Sequence, residues 1–586
     1  MNFLKRVLST VVGIIVFLTI CFFGLIIIGA LFGSDPNETI KVKPNSVLEL
    51  RLDFPIRDYA GKIEFEEYPI LNESEKNGLF NLIDAINYAA TDDKIKGISI
   101  DNHFIDAGIS QTKALRRALL KFKESGKFVT SYSDIYTQKD YYLSSVADTI
   151  YLNPVGIMEF KGLYSERLYF KDFQEKSGLK MEVVRLGKYK SAVEPFLDNK
   201  MSKNNRQQIT AYLNSLWNDM KADISLSRNI PIAQLNTIAD SLLARNPVLA
   251  KRSKLIDKIG YYDEYMNGIK NAIGIAIDEE LQTVTLEDYA QYASNKVNRY
   301  NKNKIAVIYA EGDIIYGEGD LGVVGQGTMS ESLVEAREDD KIKAVVLRIN
   351  SPGGSALASE LIWREIALTK QVKPVIVSMG DFAASGGYYI ACNADKIIAE
   401  PTTITGSIGV FGILPNGKQL AENMGINAEQ VATNTNAVTY SFFEPLSNTQ
   451  RQFIQEEILD TYQLFSKRVS QGRGLTSEEV ESIAQGRVWT GSDALNIGLV
   501  DELGGLDLAL NYAAEMAGIE DYQVEELPVF RKNIEEMLEK FGLTKTKETI
   551  LKEELGEENY KLLNKIKALS QKKGIQLLFP FSTEIK

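Results

Sequence analysis

The chain is poor in the two residue types that most often carry or constrain hydrolytic chemistry. Its 586 residues include one histidine, His103, and two cysteines, Cys21 and Cys392. A nucleophilic serine therefore has little choice of histidine as its base. The segment after residue 35 contains only Cys392, so packing and not a disulfide must stabilise it. The net charge of −12 argues against nucleic acid as the main partner, because phosphate binding requires clustered Lys and Arg.

Near the N-terminus, one long run has no charge at all. Residues 7–33 are uncharged and follow Lys5 and Arg6. This run exceeds the roughly 7–15 apolar residues of a cleaved signal peptide and reaches the roughly 20 that a spanning helix needs. Ile20 is too large, and the run continues too far, for Cys21 to be a lipid-modified cysteine. We predict a single-pass anchor in the bacterial inner membrane, with the basic end cytoplasmic and the rest on the periplasmic side.

The rest of the chain contains a tandem duplication. The pentapeptide DDKIK occurs at 92–96 and again at 339–343, 247 residues apart. The period is too long for a solenoid repeat, so each copy is predicted to be a domain. The same offset pairs further residues: Asp134 with Asp381, Tyr141 and Tyr142 with Tyr388 and Tyr389, and Pro154 with Pro401. The recurring tyrosines favour core packing that both copies share.

Each copy alternates between strand and helix patterns. Branched apolar runs at 304–314, 343–352 and 373–380 predict strands, and helical spacing at 355–370 predicts a helix. Short links between them indicate an α/β fold with mostly parallel strands, covered on both faces. We predict four segments: a membrane anchor (1–35), a first copy (36–300), a second copy (301–530) and a charged, helical C-terminal tail (531–586). Within the tail, the apolar IQLLFPF is expected to dock onto the body.

Ser385 is the candidate nucleophile. In GDFAASGGYYIACNADKI (380–397) it lies among small residues and precedes two glycines, as expected at a strand-to-helix turn. Upstream, NSPGGS ends a predicted strand with Gly353 and Gly354. Their backbone N–H groups, with that of Gly386, are candidate oxyanion donors. The first copy has Gln138 opposite Ser385 and lacks the glycine pair, so serine and donors were lost together.

The candidate base lies in the other copy. When the copies are aligned on Glu194-Pro195 and Glu444-Pro445, Lys190 falls opposite Tyr440. One copy thus keeps a lysine and the other a serine, which predicts one site where the copies meet. Burial of a lysine lowers its pKa from about 10.4, and a neutral amine can accept the proton of a serine. Such Ser-Lys pairs are a known variant of serine hydrolysis.

Four motifs in order, YKSAVEPF, NSPGGS, MGDFAASGGYYIA and TGSIGVFG, resemble the signal peptide peptidase SppA family in its long, duplicated form, also called protease IV. The resemblance implies tandem crotonase-like domains related to ClpP, and a membrane-anchored endopeptidase that degrades remnant signal peptides. It further implies Ser385 as nucleophile, Lys190 as general base and Ser407 as the group that orients the lysine. The implied assembly is a homotetramer. Two features depart from the pattern: Asp381, and the tail after about residue 530.

Two rival functions remain at this stage. The crotonase fold also hosts acyl-CoA enzymes, and an inactive scaffold could bind membrane proteins. Neither explains why serine and lysine are divided between the copies. We therefore predict a serine endopeptidase without metal or cofactor, which acts on extended apolar peptides. Such a peptide can pair with the strand edge that NSPGGS offers.

Overall fold

The computed structural model describes residues 12–20, 40–65, 73–74, 77–101, 104–297, 301–532 and 575–578. The chain divides into two units, Met1–Lys43 and Pro44–Lys586. In the first unit, residues 12–20 form helix α1. No helix within the described ranges is both long enough and apolar enough to cross a membrane. Most of the predicted anchor, most of the predicted helical tail (531–586) and also His103 lie outside the described residues.

The first copy is built on a sheet of six parallel strands in the order β8-β6-β5-β4-β1-β9. Its strands are β1 (Ser46–Leu50), β2 (Lys62–Phe65), β3 (Glu73–Ser74), β4 (Ile95–Asp101), β5 (Phe128–Tyr136), β6 (Thr149–Met158), β7 (Lys180–Leu186), β8 (Lys258–Ile259) and β9 (Thr283–Thr285). Its helices are α2 (Leu79–Thr91), α3 (Ile109–Lys123), α4 (Gln138–Ser144), α5 (Lys171–Ser177), α6 (Glu194–Leu197), α7 (Lys203–Arg228), α8 (Ile232–Asp240), α9 (Pro247–Arg252), α10 (Tyr262–Ile273) and α11 (Leu286–Val297).

The second copy repeats this plan. Its strands are β10 (Lys304–Glu311), β11 (Asp313–Ile315), β12 (Val323–Gly325), β13 (Ile342–Ser351), β14 (Gly353–Ser355), β15 (Val375–Ala384), β16 (Lys396–Ala399), β17 (Ile404–Gly406), β18 (Val410–Asn416), β19 (Val488–Thr490), β20 (Glu502–Leu503), β21 (Gln523–Leu527) and β22 (Val529–Lys532). Its helices are α12 (Gln326–Glu338), α13 (Ala356–Lys370), α14 (Gly386–Ala391), α15 (Lys418–Asn423), α16 (Asn448–Arg473), α17 (Ser477–Ile483), α18 (Gly491–Asn496) and α19 (Leu506–Ala517). One further strand, β23 (Ile575–Leu578), follows.

The two main sheets have the same strand order. In the second copy β20, β16, β15, β13, β10 and β21 follow one another, as β8, β6, β5, β4, β1 and β9 do in the first. The helix pairs α2/α12 and α3/α13 are related by the same offset of 247 residues as the repeated pentapeptide. The structure therefore agrees with the duplication that the sequence predicts.

The strands of the second copy are buried on both faces. Along β10, Ile305 and Val307 enter one apolar cluster, whereas Ala306 and Ile308 enter the cluster on the opposite face. Because successive side chains of a strand point to opposite faces, helices must cover both sides. Full burial of each such aliphatic side chain contributes about 1.5–3 kcal/mol. The central strands thus provide a rigid platform at whose ends the functional residues lie.

Two strand boundaries differ from the prediction. The run 304–314 is broken at Gly312, where φ is +98° and an ideal Cβ would lie 1.8 Å from the carbonyl oxygen of Gly322. Only glycine tolerates that approach, so the run divides into β10 and β11. In contrast, the strand predicted at 373–380 continues to Ala384, as β15. Ser385 therefore follows directly on a central strand.

The repeated tyrosines pack in equivalent ways, as predicted. Tyr141 and Tyr388 are fully buried, and each hydroxyl donates a hydrogen bond of 2.9 Å to a backbone carbonyl, that of Leu255 and that of Leu499 respectively. Their neighbours, Tyr142 and Tyr389, are buried as well. The tyrosine pair is therefore part of the shared scaffold and takes no part in the difference between the copies.

Polar contacts join the copies. The Arg348 guanidinium donates to the Asp58 carboxylate at 2.9 Å, and both side chains are buried. Asp381, the residue that departs from the family motif, accepts a hydrogen bond of 2.7 Å from the backbone N–H of Ser110 in the first turn of α3. Burial, together with the nearby charge of Asp58, raises the pKa of Asp381 to about 6. Asp381 thus caps a helix of the other copy and lies outside the proposed site.

A third sheet combines both copies and the C-terminal segment. Its order is β12-β11-β14-β23-β18-β7. Strand β7 of the first copy pairs antiparallel with β18 of the second, from Val410 opposite Leu186 to Asn416 opposite Lys180. This pairing delivers the loop that carries Lys190 to the second copy.

Candidate active site

Ser385 occupies a sharp turn between β15 and α14. Its φ of +57° and ψ of −112° lie in a region that residues with a side chain rarely adopt, and such a conformation costs on the order of 1–3 kcal/mol. The backbone N–H of Ser385 donates to the carbonyl of Gly406 at 2.8 Å, which holds the turn in place. An ideal Cβ at Gly387 would lie 2.7 Å from the carbonyl oxygen of Ser351. The crowded turn therefore explains why small residues surround the serine.

Lys190 follows β7, and its side chain packs against two glycines on the way to the site. The N–H of Tyr189 donates to the Gln485 carbonyl at 2.9 Å. An ideal Cβ at Gly486 would lie 2.6 Å from the Lys190 Cβ, and one at Gly409 would lie 3.3 Å from the Lys190 Cδ. Both glycines leave space for the aliphatic stem of the lysine.

The structure brings the predicted serine and lysine together within one chain. Lys190 Nζ lies 2.6 Å from Ser385 Oγ, and it lies 3.1 Å from both the hydroxyl and the carbonyl oxygen of Ser407. All three residues are 0 % exposed. Ser407 is held by its own N–H, which donates to the Arg487 carbonyl at 2.7 Å. Ser407 therefore lies within hydrogen-bonding distance of the lysine amine.

Burial lowers the pKa of Lys190 well below its usual value of 10.5. The nearest acid in the sequence, Glu194, is occupied elsewhere. Its carboxylate accepts hydrogen bonds from the Ser202 N–H at 3.0 Å, the Ser202 hydroxyl at 2.7 Å and the Asn205 amide at 3.1 Å. Desolvation thus disfavours the charged form of the amine and favours the neutral form, which can accept a proton.

The three candidate oxyanion glycines lie close to one another. An ideal Cβ at Gly353, where φ is +101°, would lie 2.6 Å from the N atom of Gly386, and one at Gly386 would lie 3.1 Å from the N atom of Gly354. The N–H of Gly386 is the first of α14, so it has no acceptor within that helix. The N–H of Gly353 donates to Ser351 Oγ at 3.1 Å. Contrary to prediction, the pair does not end β13; it forms the separate strand β14.

Sequence reasoning missed the residues that support the lysine loop. The Gln208 amide donates to the Tyr189 carbonyl at 3.0 Å and to Ser191 Oγ at 2.9 Å, while Ser191 Oγ donates to Asn205 Oδ1 at 3.0 Å. Ser191, Asn205 and Gln208 are buried. The sequence feature that could have revealed them is the spacing of Asn205 and Gln208. These two residues lie three positions apart, on one face of α7, directly after the loop.

In the first copy, Gln138 occupies the position equivalent to that of Ser385. There the Gln138 side chain accepts hydrogen bonds from the N–H groups of Lys161 at 3.0 Å and Gly162 at 2.8 Å, and it donates to the Gly162 carbonyl at 3.1 Å. The Gln138 amide is therefore bonded to backbone groups of the loop that follows β6. Tyr440, which aligns with Lys190, donates its hydroxyl to the Pro415 carbonyl.

Comparison with known proteins finds relatives that match both copies of the chain. The model of peptidase family S49 matches residues 121–276 and again 367–520. Protease 4 of Haemophilus influenzae is 39% identical over 466 residues, which cover 77% of this chain and 76% of that protein. Protease 4 of Salmonella typhi is 37% identical over 461 residues, 77% of this chain and 74% of that protein. The chloroplastic serine protease SPPA of Arabidopsis thaliana is 34% identical over 440 residues, 74% of this chain and 64% of that protein.

Among solved structures, a ClpP1 variant of Listeria monocytogenes is 16% identical, with a TM-score of 0.24, and covers 34% of this chain and 91% of that one. The two matches of the family model fall in the two copies, as the duplication requires. Of the three functions that the sequence left open, these relatives support the peptidase. The chain is a serine peptidase and belongs to peptidase family S49, in the long, duplicated form of SppA.

Proposed function

We propose that the chain hydrolyses peptide bonds with Ser385 as nucleophile and Lys190 as general base. The observation that carries this proposal is the 2.6 Å distance between Lys190 Nζ and Ser385 Oγ, at a lysine that is fully buried and has a lowered pKa. A neutral amine has two N–H groups and one lone pair. Two N–H donors match the two oxygens of Ser407, which leaves the lone pair for the hydroxyl proton of Ser385.

The first chemical step follows from this geometry. Lys190 takes the proton from the Ser385 hydroxyl as Oγ attacks the carbonyl carbon of the substrate. Negative charge develops on the carbonyl oxygen, and backbone N–H groups among Gly353, Gly354 and Gly386 stabilise it. The protonated lysine then gives its proton to the leaving amine. Ser407 keeps the amine directed at Ser385 throughout.

The acyl-enzyme is then hydrolysed by the same proton transfers in reverse order. Water replaces the departed amine, and Lys190, again neutral, takes a proton from that water as its oxygen attacks the ester carbon. The proton returns to Ser385 Oγ when the acid product leaves. Every proton transfer passes through one amine, so no histidine is required.

The wider proposal completes the biological setting. We propose crotonase-like copies over 36–300 and 301–530, an anchor in the inner membrane over 1–35, and a helical tail over 531–586. The substrates are remnant signal peptides and similar apolar segments, and the protomers form a homotetramer with the sites on the periplasmic side. The resemblance and the apolar N-terminal run support these assignments. Light scattering in detergent tests the tetramer, and a monomer active at every dilution contradicts it.

A fluorophosphonate probe tests the nucleophile directly. Such probes form a covalent bond only with an activated serine, so we expect one labelled residue in the purified chain. Ser385→Ala should abolish labelling, whereas Ser482→Ala, at an exposed serine of α17, should retain it. Labelling of the Ser385→Ala protein at the level of the unsubstituted chain would refute the assignment.

A further inference from the structure

The loop that carries the proposed base has little regular structure of its own. Lys190 comes after β7 and is followed by a single 3₁₀ turn, Ser191–Val193. An amine at the end of a long side chain keeps its direction only when the backbone on both sides of the residue is held in place. The contacts of Tyr189 and Ser191, the two neighbours of Lys190, therefore decide where the amine lies.

One side chain of α7 binds both neighbours of Lys190. The Gln208 amide nitrogen lies 3.0 Å from the Tyr189 carbonyl oxygen and 2.9 Å from Ser191 Oγ, so its two N–H groups match these two acceptors. The same nitrogen lies 3.2 Å from Asn205 Oδ1. Gln208 is 1 % exposed and is enclosed by protein. Any effect of Gln208 on the reaction must therefore pass through the residues that it holds.

The same amide also contacts the second copy. Gln208 Oε1 accepts a hydrogen bond of 3.4 Å from the N–H of Val488, the first residue of β19. The preceding residue, Arg487, accepts the Ser407 N–H on its carbonyl at 2.7 Å. Gln208 thus bonds the loop of the base on one side and, on the other, the strand next to the residue that holds Ser407. One side chain links the lysine to the serine that directs its amine.

Helix α16 of the second copy shows the equivalent position where there is no lysine to hold. Both helices have 26 residues, and α16 begins 245 positions after α7. The N-cap is the same in both, because Ser202 and Ser447 each accept a hydrogen bond from a backbone N–H of the first turn. At the position of Gln208, however, α16 has Phe453, whose side chain is 46% exposed. The glutamine, like the lysine, is therefore present in only one copy.

We propose that Gln208 is a positioning residue for the base, which holds Lys190 against Ser385 by fixing the backbone on both sides of the lysine and bonding it to β19. This inference rests on the proposed function, because the position of the amine matters only if Lys190 takes the proton. Gln208 touches neither the substrate nor the reacting atoms. Its contribution is to the geometry of the pair and to the exclusion of water from the amine.

Gln208→Met in the full-length chain tests this role, because methionine keeps the length of the side chain and removes its hydrogen bonds. A shift of about 1 Å in a catalytic group costs about 10²-fold, so we expect kcat for a fluorogenic apolar peptide to fall about 10²-fold with KM unchanged. A looser loop also admits water to the amine and raises the pKa of Lys190 towards 10.5, so kcat/KM should level off at a higher pH. As the matched control, Gln234→Met makes the same change at an exposed glutamine of α8 and should alter neither value.

Ser191→Ala tests the same contact from the side of the loop. It removes one of the two acceptors and leaves the amide in place, so kcat should fall by about 3- to 10-fold, as expected for one hydrogen bond between neutral groups. The double variant, Ser191→Ala with Gln208→Met, should be no worse than Gln208→Met alone, because both changes remove the same contact. Far-UV circular dichroism checks the fold of each variant, and Ser191→Ala decides the matter if Gln208→Met does not fold.

Two results would overturn the inference. If Lys190→Ala is inactive but Gln208→Met and Ser191→Ala both retain the kcat of the unsubstituted chain, the lysine does not depend on the glutamine. If kcat falls but kcat/KM still levels off at the same pH, Gln208 has a structural role only. Normal turnover by Lys190→Ala would instead refute the proposed function, and the inference with it, so the two failures are distinguishable.

Discussion

The two copies share a scaffold and differ in what they place at its ends. Both have the same order of six strands, and both bury a tyrosine that donates to an equivalent carbonyl. At the end of β15 the second copy has Ser385, whereas after the equivalent strand β5 the first copy has Gln138, whose amide bonds the loop that follows β6. When the copies are aligned on their Glu-Pro pairs, Lys190 of the first copy falls opposite Tyr440 of the second.

This difference shows how a duplication can divide one site. In the proposed mechanism each copy lacks a group that the other supplies, and the pairing of β7 with β18 across the boundary brings the two groups together. The scaffold residues could not diverge in the same way, since each copy must bury its own core. Reciprocal substitution is therefore a stronger sign of a shared site than either motif alone.

The largest expected effect comes from removing either half of the divided site. Ser385→Ala and Lys190→Ala should each lower kcat/KM for a fluorogenic peptide by about 10⁴-fold or more, because the two groups act as a unit. The double variant should be no worse than either single one. As the control from the other copy, Gln138→Ser should leave activity unchanged and should not rescue Ser385→Ala. Normal turnover by Lys190→Ala would show that the first copy does not supply the base.

A smaller effect is expected at the contact between the copies. Arg348→Met leaves the Asp58 carboxylate buried without its partner, so the free energy of unfolding should fall by about 3–5 kcal/mol. Urea denaturation followed by circular dichroism measures this change. The matched double variant, Arg348→Met with Asp58→Leu, removes both charges and should recover most of the loss. No recovery in the double variant would mean that the ion pair is not what the single substitution disrupts.

The dependence on pH distinguishes Lys190 from an ordinary lysine. Only the neutral amine accepts a proton, so kcat/KM should rise about tenfold per pH unit and level off at the lowered pKa, below 10.5. Between that pKa and 10.5 the unfolded chain binds more protons than the folded chain, so the free energy of unfolding should rise with pH across this window. Lys190→Met should abolish that rise. If kcat/KM instead levels off at the pKa of free lysine, the result would contradict the argument that Lys190 is buried.

The smallest expected effect tests the equivalence of the scaffolds. Tyr141→Phe and Tyr388→Phe each remove a hydroxyl that satisfies a buried carbonyl, and each should lower the free energy of unfolding by about 1–3 kcal/mol. Thermal and urea unfolding should show similar losses for the two variants, and kcat should stay unchanged in the first-copy variant. A loss confined to one copy would show that the tyrosines are not equivalent.

The sequence predicted the features that repeat or that substitute for each other. The strands and helices around Ser385 follow local patterns, and Lys190 was identified because it aligns with Tyr440. The sequence did not predict the roles of Asp381 and Gln208, because each bonds a backbone group distant in the chain. The position of β23 was equally hidden: its apolar residues predicted docking, but its partners depend on the assembled third sheet.

The separation of Lys190 and Ser385 by 195 residues also has a consequence in time. A ribosome delivers the lysine first, on a segment that as yet has no β18 to pair with. The serine follows much later, and in the proposed mechanism its hydroxyl stays inert until it meets the lysine. A half-made chain would then carry no active site, and completion of folding would itself be the activating event.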